Sequence, residues 1–250
     1  MGKIKGKLII LGSITLVGLI GMGIILAQEI SNPLAGKIIA LDAGHGGEEF
    51  GAVNNQYNVV EKDVNLAVVY ALRQKLEDPS VGAKVVLTRV CDETISNRKE
   101  RVDWAVEQCR TIAGRKCDAL VSVHHNGSTD PNHDGTMVIY NERQDLPLAE
   151  ALLKQIWPLT GNNEGLDHGG YGMTVYDHLV SALTEAYYIT NNGEAEQYLN
   201  GTLTKVCDNN GDGINDYSVL VGERVNQEAD ALYQGLYNYF NAPPTKPGRK

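Results

Sequence analysis

The sequence has no excess of positive charge. Its 22 Lys and Arg stand against 31 Asp and Glu, a formal net charge of -9 at pH 7. A nucleic-acid partner is excluded on that ground, because neutralising phosphates takes a basic patch or stripe. A sugar or peptide partner is not excluded. No internal repeat runs through the 250 residues, which removes solenoids and propellers and leaves a length suited to one or two domains. None of the four cysteines forms a CxxC pair, so zinc-ribbon and thioredoxin-like readings lose their signature. No HExxH pair is present either, so any metal chemistry must assemble from distant segments.

Long apolar runs are scarce, and the one exception lies at the N-terminus. Lys3, Lys5 and Lys7 precede a charge-free stretch from Leu8 to Ala27. About twenty apolar residues suffice to cross a bilayer as a helix, whereas a secretory apolar region is usually about 7–15 residues. Lysines ahead of the span keep that end in the cytoplasm and place the rest outside. Residues 1–28 therefore read as a signal anchor; cleavage after Ala27, which would make the protein secreted, stays open. Residues 29–36 read as a linker, 37–240 as one domain, and 241–250 ("NAPPTKPGRK") as a disordered tail.

Export permits disulfides, and four cysteines allow three pairings. Cys109 and Cys117 flank the short segment "RTIAGRK" and are the favoured pair. Beyond Lys37, apolar strands alternate with amphipathic helices. "KIIALDAG", "AKVVLTR", "CDALVSVHH", "GTMVIY" and "HLVSALTEAYYI" carry strands. "EKDVNLAVVYALRQKLED" places Val64, Val68, Ala71, Leu72 and Leu76 on one helical face. "SNRKERVDWAVEQCR" reads as a helix with Ser96 as a candidate cap, and "LPLAEALLKQIWPL" as another. The run "YSVLVGERVNQEADALYQGLYNYF" reads as one closing helix with Val221, Val225, Ala229, Leu232 and Leu236 aligned; its aromatic residues read as core packing. Several strands are apolar on both faces. The expected fold is thus α/β: a single domain with a mostly parallel open sheet and helices on both faces, preceded by an N-terminal membrane-spanning helix.

In such sheets ligands bind beyond the carboxyl ends of the strands, where the following helices begin. Four reactive residues fall there: His45 after the first strand, Glu61 opening the first helix, His124 ending a central strand, and Glu185 in the last strand. His124 and His125 are adjacent in a strand and must point to opposite faces. Two histidines and a glutamate suit a catalytic zinc with an open fourth position. A further carboxylate such as Glu185 suits proton transfer to a leaving amine. Singly, each residue also has a plain structural reading: Glu61 fits a first-turn acid favoured by the helix dipole. Glu185, between Leu183, Ala186 and Tyr187, is a costly buried acid unless it has a task.

At these residues the sequence resembles a known family, the zinc-dependent N-acetylmuramoyl-L-alanine amidases of the bacterial cell-wall autolysin, or amidase-3, type. The resemblance rests on "LDAGHGGEEFGA", "EKDVNLAVVYALRQKLE", "GAKVVLTRVCDETISNRKERV", "DALVSVHHNGS…HDGTMVIY" and "LTEAYYITNNGEAEQYL", in that order. It implies Zn2+ held by His45, Glu61 and His124, with Glu185 as the catalytic acid and base. It implies hydrolysis of the amide between N-acetylmuramic acid and L-alanine in peptidoglycan. His124 then becomes the ligand, while His125 faces away or lines the cleft. The interval from His124 to Glu185 is short and Gly/Asn-rich, so no built-in inhibitory helix is expected. Arg89 and Arg101 are expected in structural ion pairs, and His133, His168 and His178 away from the ligand set.

Two alternatives stay open at this level: a non-catalytic peptidoglycan-binding protein on the same fold, and a zinc peptidase or deacetylase acting on another wall component. One insertion, "DNNGDGIND", spaces Asp208, Asn210, Asp212 and Asp216 around Gly213, so Ca2+ is a candidate there, although the bidentate Glu of an EF-hand is replaced by Val219. The expected partners are peptidoglycan and, through the N-terminal helix, the membrane.

Overall fold

A computed structural model describes residues 32–243 except Ser96, Tyr171 and Asn209. The apolar run Leu8–Ala27 and its lysines lie outside the described residues, as does the tail from 244 onward. Among the described residues no helix is long and apolar enough to cross a membrane. The strands are β1 (Ile38–Ala43), β2 (Val53–Asn54), β3 (Val59–Val60), β4 (Lys84–Leu87), β5 (Ala119–Asn126), β6 (Thr136–Tyr140), β7 (Asn163–His168), β8 (Ser181–Tyr188), β9 (Thr202–Cys207) and β10 (Tyr217–Val221). The α-helices are α1 (Glu61–Leu76), α2 (Arg98–Ala113), α3 (Leu146–Ile156), α4 (Asn192–Leu199) and α5 (Glu223–Asn241).

Six strands form the central sheet in the order β4-β1-β5-β8-β6-β7. The pairs from β4 to β8 are parallel; β6 pairs antiparallel with β8 and parallel with β7. The sheet is therefore mostly parallel but mixed. Strand alternation decides what each face holds. On β1, Ile39, Leu41 and Ala43 enter the larger core with α1, α3 and α5, while Ile38 and Ala40 enter a smaller core with Val102, Ala105 and Val106 of α2. On β5, Ala119, Val121 and Val123 face the larger core and Leu120 the smaller. The α2 face turns polar towards the carboxyl ends: Asp42 follows Ala40, and Ser122 and His124 follow Leu120. That gradient is what positions the site.

The helix predicted from residue 61 forms, and its five expected apolar positions are all buried. Three expectations are corrected. The closing segment is not one helix: Tyr217–Val221 is a strand paired antiparallel with β9, and α5 starts at Glu223. "YSVLV" is β-branched and apolar, and its ladder with β9 outcompetes helical propagation. At Gly222 the chains come so close that a Cβ would sit 2.6 Å from Gly201 Cα. Second, the cap of α2 is Asn97, whose side chain accepts from the Lys99 N–H at 3.0 Å; Ser96 lies outside the described residues. Third, the segment read as linker already packs, because Leu34 is fully buried in the larger core.

The Cys109–Cys117 disulfide forms as expected, and a second joins Cys91 to Cys207 across 116 residues. It ties the loop after β4 to the β9–β10 hairpin, so it closes a long loop of the unfolded chain. Replacing Cys91 and Cys207 by serine is expected to cost about 2–5 kcal/mol. Urea unfolding should show this as a lower midpoint, with a slope at least as steep as the parent's because the released unfolded chain expands. An unchanged midpoint would show that the second bridge constrains nothing.

Candidate active site

The site forms where β1, β5 and β8 end. β5 and β8 are parallel neighbours with His124 directly opposite Glu185, so the two side chains emerge on one face. The chain crosses from β1 to this face at Gly44, where a Cβ would lie 2.2 Å from the His124 ring; only glycine leaves room for it. The next residue, His45, has φ 62, a left-handed conformation that costs a non-glycine residue about 1–2 kcal/mol. The Arg101 guanidinium holds it there, donating to the His45 carbonyl at 2.6 Å. At Gly51, also left-handed, a Cβ would sit 2.3 Å from Glu61 Oε2.

Glu61 is the first residue of α1 and is only 3% exposed. Its Oε2 lies 3.1 Å from His45 Nε2 and its Oε1 lies 3.0 Å from His124 Nδ1. The carboxylate also accepts from the Ala52 N–H at 2.8 Å, the His125 N–H at 3.1 Å and Asn65 Nδ2 at 3.3 Å. Burial would raise its pKa, but hydrogen bonds and charge from His124 and His45 hold it well below the usual carboxylate range. The ligating atoms of His45, Glu61 and His124 all lie within 4.8 Å of one another, the one such group among the described residues.

Glu185 faces the same cleft as His45 and His124 and differs from Glu61 in its partners. Its Oε2 is buried with no hydrogen-bond partner among the described residues. Burial, aided by the Glu61 charge, pushes its carboxyl up to about 8, against a smaller pull from His125 and His45. Two buried carboxylates are thus held in opposite states, one as an anion and one able to carry a proton near neutrality. The cleft lined by Glu185, His45 and His124 has a volume of about 540 Å3. Ile95, Ile139, Met173 and Leu183 supply apolar wall, and Arg98 and Asn97 stand at the start of α2.

The structure brings together all four residues singled out in the sequence. It also shows supports that the sequence reading missed. Asp42, 1% exposed, accepts from Arg101 Nη1 at 3.0 Å and Ser122 Oγ at 2.6 Å, and from Thr88 Oγ1. An acid inside "IIALDAG" carries the same signal that flagged Glu185. Asn65, one turn after Glu61, joins that carboxylate to the Gly44 carbonyl and to His125. His125 does face away: its ring lies 2.7 Å from Asn65 Oδ1 and 3.0 Å from Glu228 Oε2, in the larger core. Arg101 makes the expected ion pair with Asp42, but Arg89 instead donates to the carbonyls of Ala43, Gly44, Lys62 and Cys91. His133 pairs with Glu164 and His178 with Glu142, outside the ligand group.

Calcium at the Asp208 loop gains no support. The Asp208 carboxylate accepts backbone N–H bonds from Asn210, Gly211 and Gly213, and the Asn210 and Asp212 oxygens do the same for Asp212 and Ile214. These bonds order the loop, and the metal-holding group among the described residues lies elsewhere, at His45, Glu61 and His124.

Residues 39–216 match the family model Amidase_3, described as N-acetylmuramoyl-L-alanine amidase. The chain belongs to this family. Among curated relatives, LytC of Bacillus subtilis (strain 168), an N-acetylmuramoyl-L-alanine amidase, is 28% identical over 176 residues, covering 68% of this chain and 33% of LytC. The uncharacterized protein YqiI of the same organism is 30% identical over 232 residues, covering 90% of this chain and 96% of YqiI. The chain thus spans a third of LytC and nearly all of YqiI. The catalytic domain of CwlV, an N-acetylmuramoyl-L-alanine amidase from Bacillus (Paenibacillus) polymyxa var. colistinus, superposes with a TM-score of 0.62 at 24% identity. The superposition covers 81% of this chain and 97% of that one and shows a common fold. Family membership supports N-acetylmuramoyl-L-alanine amidase activity on peptidoglycan.

In this family member the Arg101–Asp42 pair ties α2 to β1 behind the His45 loop. Asp42→Asn is expected to destabilise by about 3–5 kcal/mol, because it leaves a buried guanidinium uncompensated. Burial would raise the Asp42 carboxyl, but Arg101 and the other partners hold it below its ordinary value. Its stabilisation is therefore complete above the unfolded value, about pH 4, and is lost as pH falls through the lower folded value. Acid titration of unfolding should show a steeper loss below about pH 4 in the parent than in Asp42→Asn. Parallel curves would contradict this role.

Proposed function

We propose that the chain is a zinc-dependent amidase that cleaves the bond between N-acetylmuramic acid and the L-alanine of the stem peptide. The observation that carries this reading is the pairing of a buried anionic His-Glu-His group with a second, unpartnered carboxyl across one cleft. Two imidazoles and a carboxylate form the donor set of a catalytic zinc site, and their ring and carboxylate atoms already converge. His45, Glu61 and His124 would hold the ion. An ion so held acts as a Lewis acid and lowers the pKa of water towards neutrality.

The chain's own groups do the rest. Glu61 accepts from the Ala52 and His125 N–H groups and from Asn65 Nδ2, which favour its anion, and Asn65 with His125 fixes its orientation from behind. Glu185 lines the cleft, where its carboxyl takes a proton from the attacking water and delivers it to the departing alanine nitrogen. Burial raises the Glu185 carboxyl to about 8, which suits the proton-donating step near neutral pH, and beside a cation held by His45, Glu61 and His124 it would be drawn down towards the carboxylate that the proton-accepting step requires. The non-catalytic alternative would be favoured by loss of one of these four groups, and all four are present and convergent.

The protein is exported in this reading, either anchored in the membrane and facing the cell wall or secreted after cleavage. Lys3, Lys5 and Lys7 ahead of the charge-free Leu8–Ala27 run support it. So do two disulfides, which persist in oxidising compartments.

Purified peptidoglycan incubated with the protein should release free stem peptides, read by mass spectrometry of the soluble fraction. Glu185→Gln is expected to lower the rate by about 10²–10⁴-fold while zinc is retained, and chelation should abolish release reversibly. Undiminished release by Glu185→Gln would remove it from the proton path. Release of disaccharides or amino acids in place of stem peptides would overturn the amidase assignment.

A further inference from the structure

Few large apolar side chains are exposed, and two of those described, Trp104 at 53% and Val90 at 54%, line one groove. The groove has a volume of about 410 Å3 and sits where β4 ends, with Leu87 as its apolar floor. β4 lies beside β1, in parallel. The groove therefore opens one strand over from His45, at the same carboxyl edge of the sheet. Ile95 and Arg101 line both the groove and the catalytic cleft, so the two hollows stand back to back across one layer of side chains.

The groove is a built feature. Arg89, buried at its base, donates to the Cys91 carbonyl, and Cys91 is bridged to Cys207. Trp104 belongs to neither core cluster, whereas the other tryptophan, Trp157, packs against the larger core. Glu93 and Glu100 bring carboxylates to the groove. An exposed indole face beside acceptor oxygens suits a pyranose ring, whose C–H faces are apolar and whose edge is a ring of hydroxyl donors. Glu93 and Glu100 are matched in number by Arg89 and Arg101 in the lining, so the groove offers an anionic lipid headgroup no net positive charge.

The substrate of the proposed reaction is a polymer. Its muramic acid carries sugars on both sides, so the glycan must leave the cleft over a rim. We propose that the groove beside Trp104 is a glycan subsite, holding an N-acetylated pyranose of the same strand whose stem peptide lies in the cleft. This rests on the amidase reading for its substrate. It predicts a preference for glycan-linked substrate over a single muramoyl peptide.

The test has a binding arm and a kinetic arm, both with the full chain. In the first, tryptophan emission is followed while peptide-free oligomers of N-acetylglucosamine and N-acetylmuramic acid are added. A saturable change in the parent, absent in Trp104→Phe, is expected. In the second, Trp104→Ala is compared with the parent on a glycan-linked substrate and on a single muramoyl peptide. The expected result is a KM raised about tenfold on the first substrate, with the second unaffected. No emission change with the glycan, or equal losses on both substrates, would overturn the subsite. An emission change produced by free stem peptide, and not by glycan, would also overturn it. Because the binding arm needs no turnover, it separates failure of the subsite from failure of the amidase reading, which would show as no stem-peptide release by the parent from either substrate.

Discussion

The buried anion Glu61 is the constraint around which the domain is organised. A carboxylate 3% exposed carries a large desolvation cost, and the fold offsets it with two imidazoles, two backbone N–H groups and an amide. Those partners come from the loop between β1 and β2, from α1 and from β5. Misplacing any of these elements strands charge in a low-dielectric interior. The group that suits a metal is therefore also a structural keystone, since each element is held to the others through the same few oxygens.

Around it, the sheet separates two kinds of polar work by alternation alone. The α2 face carries Asp42, Ser122, His124 and Glu185, ending in the cleft. The opposite face carries His125, whose ring joins Asn65 of α1 to Glu228 of α5. Adjacent histidines thus act on opposite sides of one strand, the first at the cleft and the second in the core. Arg101 links these layers to the left-handed turn at His45 through the Asp42 carboxylate and the His45 carbonyl.

Much of this was legible in the sequence, and for stated reasons. Apolar runs that stop at His45 and His124 marked strand ends, and Glu61 at a helix start and Glu185 inside an apolar strand marked the carboxylates. The opposite facing of His124 and His125 follows from the period of two. What escaped was decided by tertiary contact. β7 ("NEGLDH") and β9 ("TLTKVC") are short and polar and gain their pairing only from β6 and β10. The boundary at Gly222 hides inside a continuous apolar pattern, because Val221 fits both a strand end and a helix face. Arg89 carries no sequence signal for carbonyl caging, and in the Asp208 loop calcium-like spacing serves backbone N–H groups.

The central claim is that His45, Glu61 and His124 share one divalent ion. X-ray absorption at the zinc edge on the zinc-loaded protein tests it most directly. The account predicts a light-atom shell with two imidazole nitrogens at about 2.0–2.1 Å and no sulfur, losing one imidazole in His45→Ala and in His124→Ala. A spectrum with fewer than two imidazoles in the parent, or one unaltered by either substitution, would contradict it.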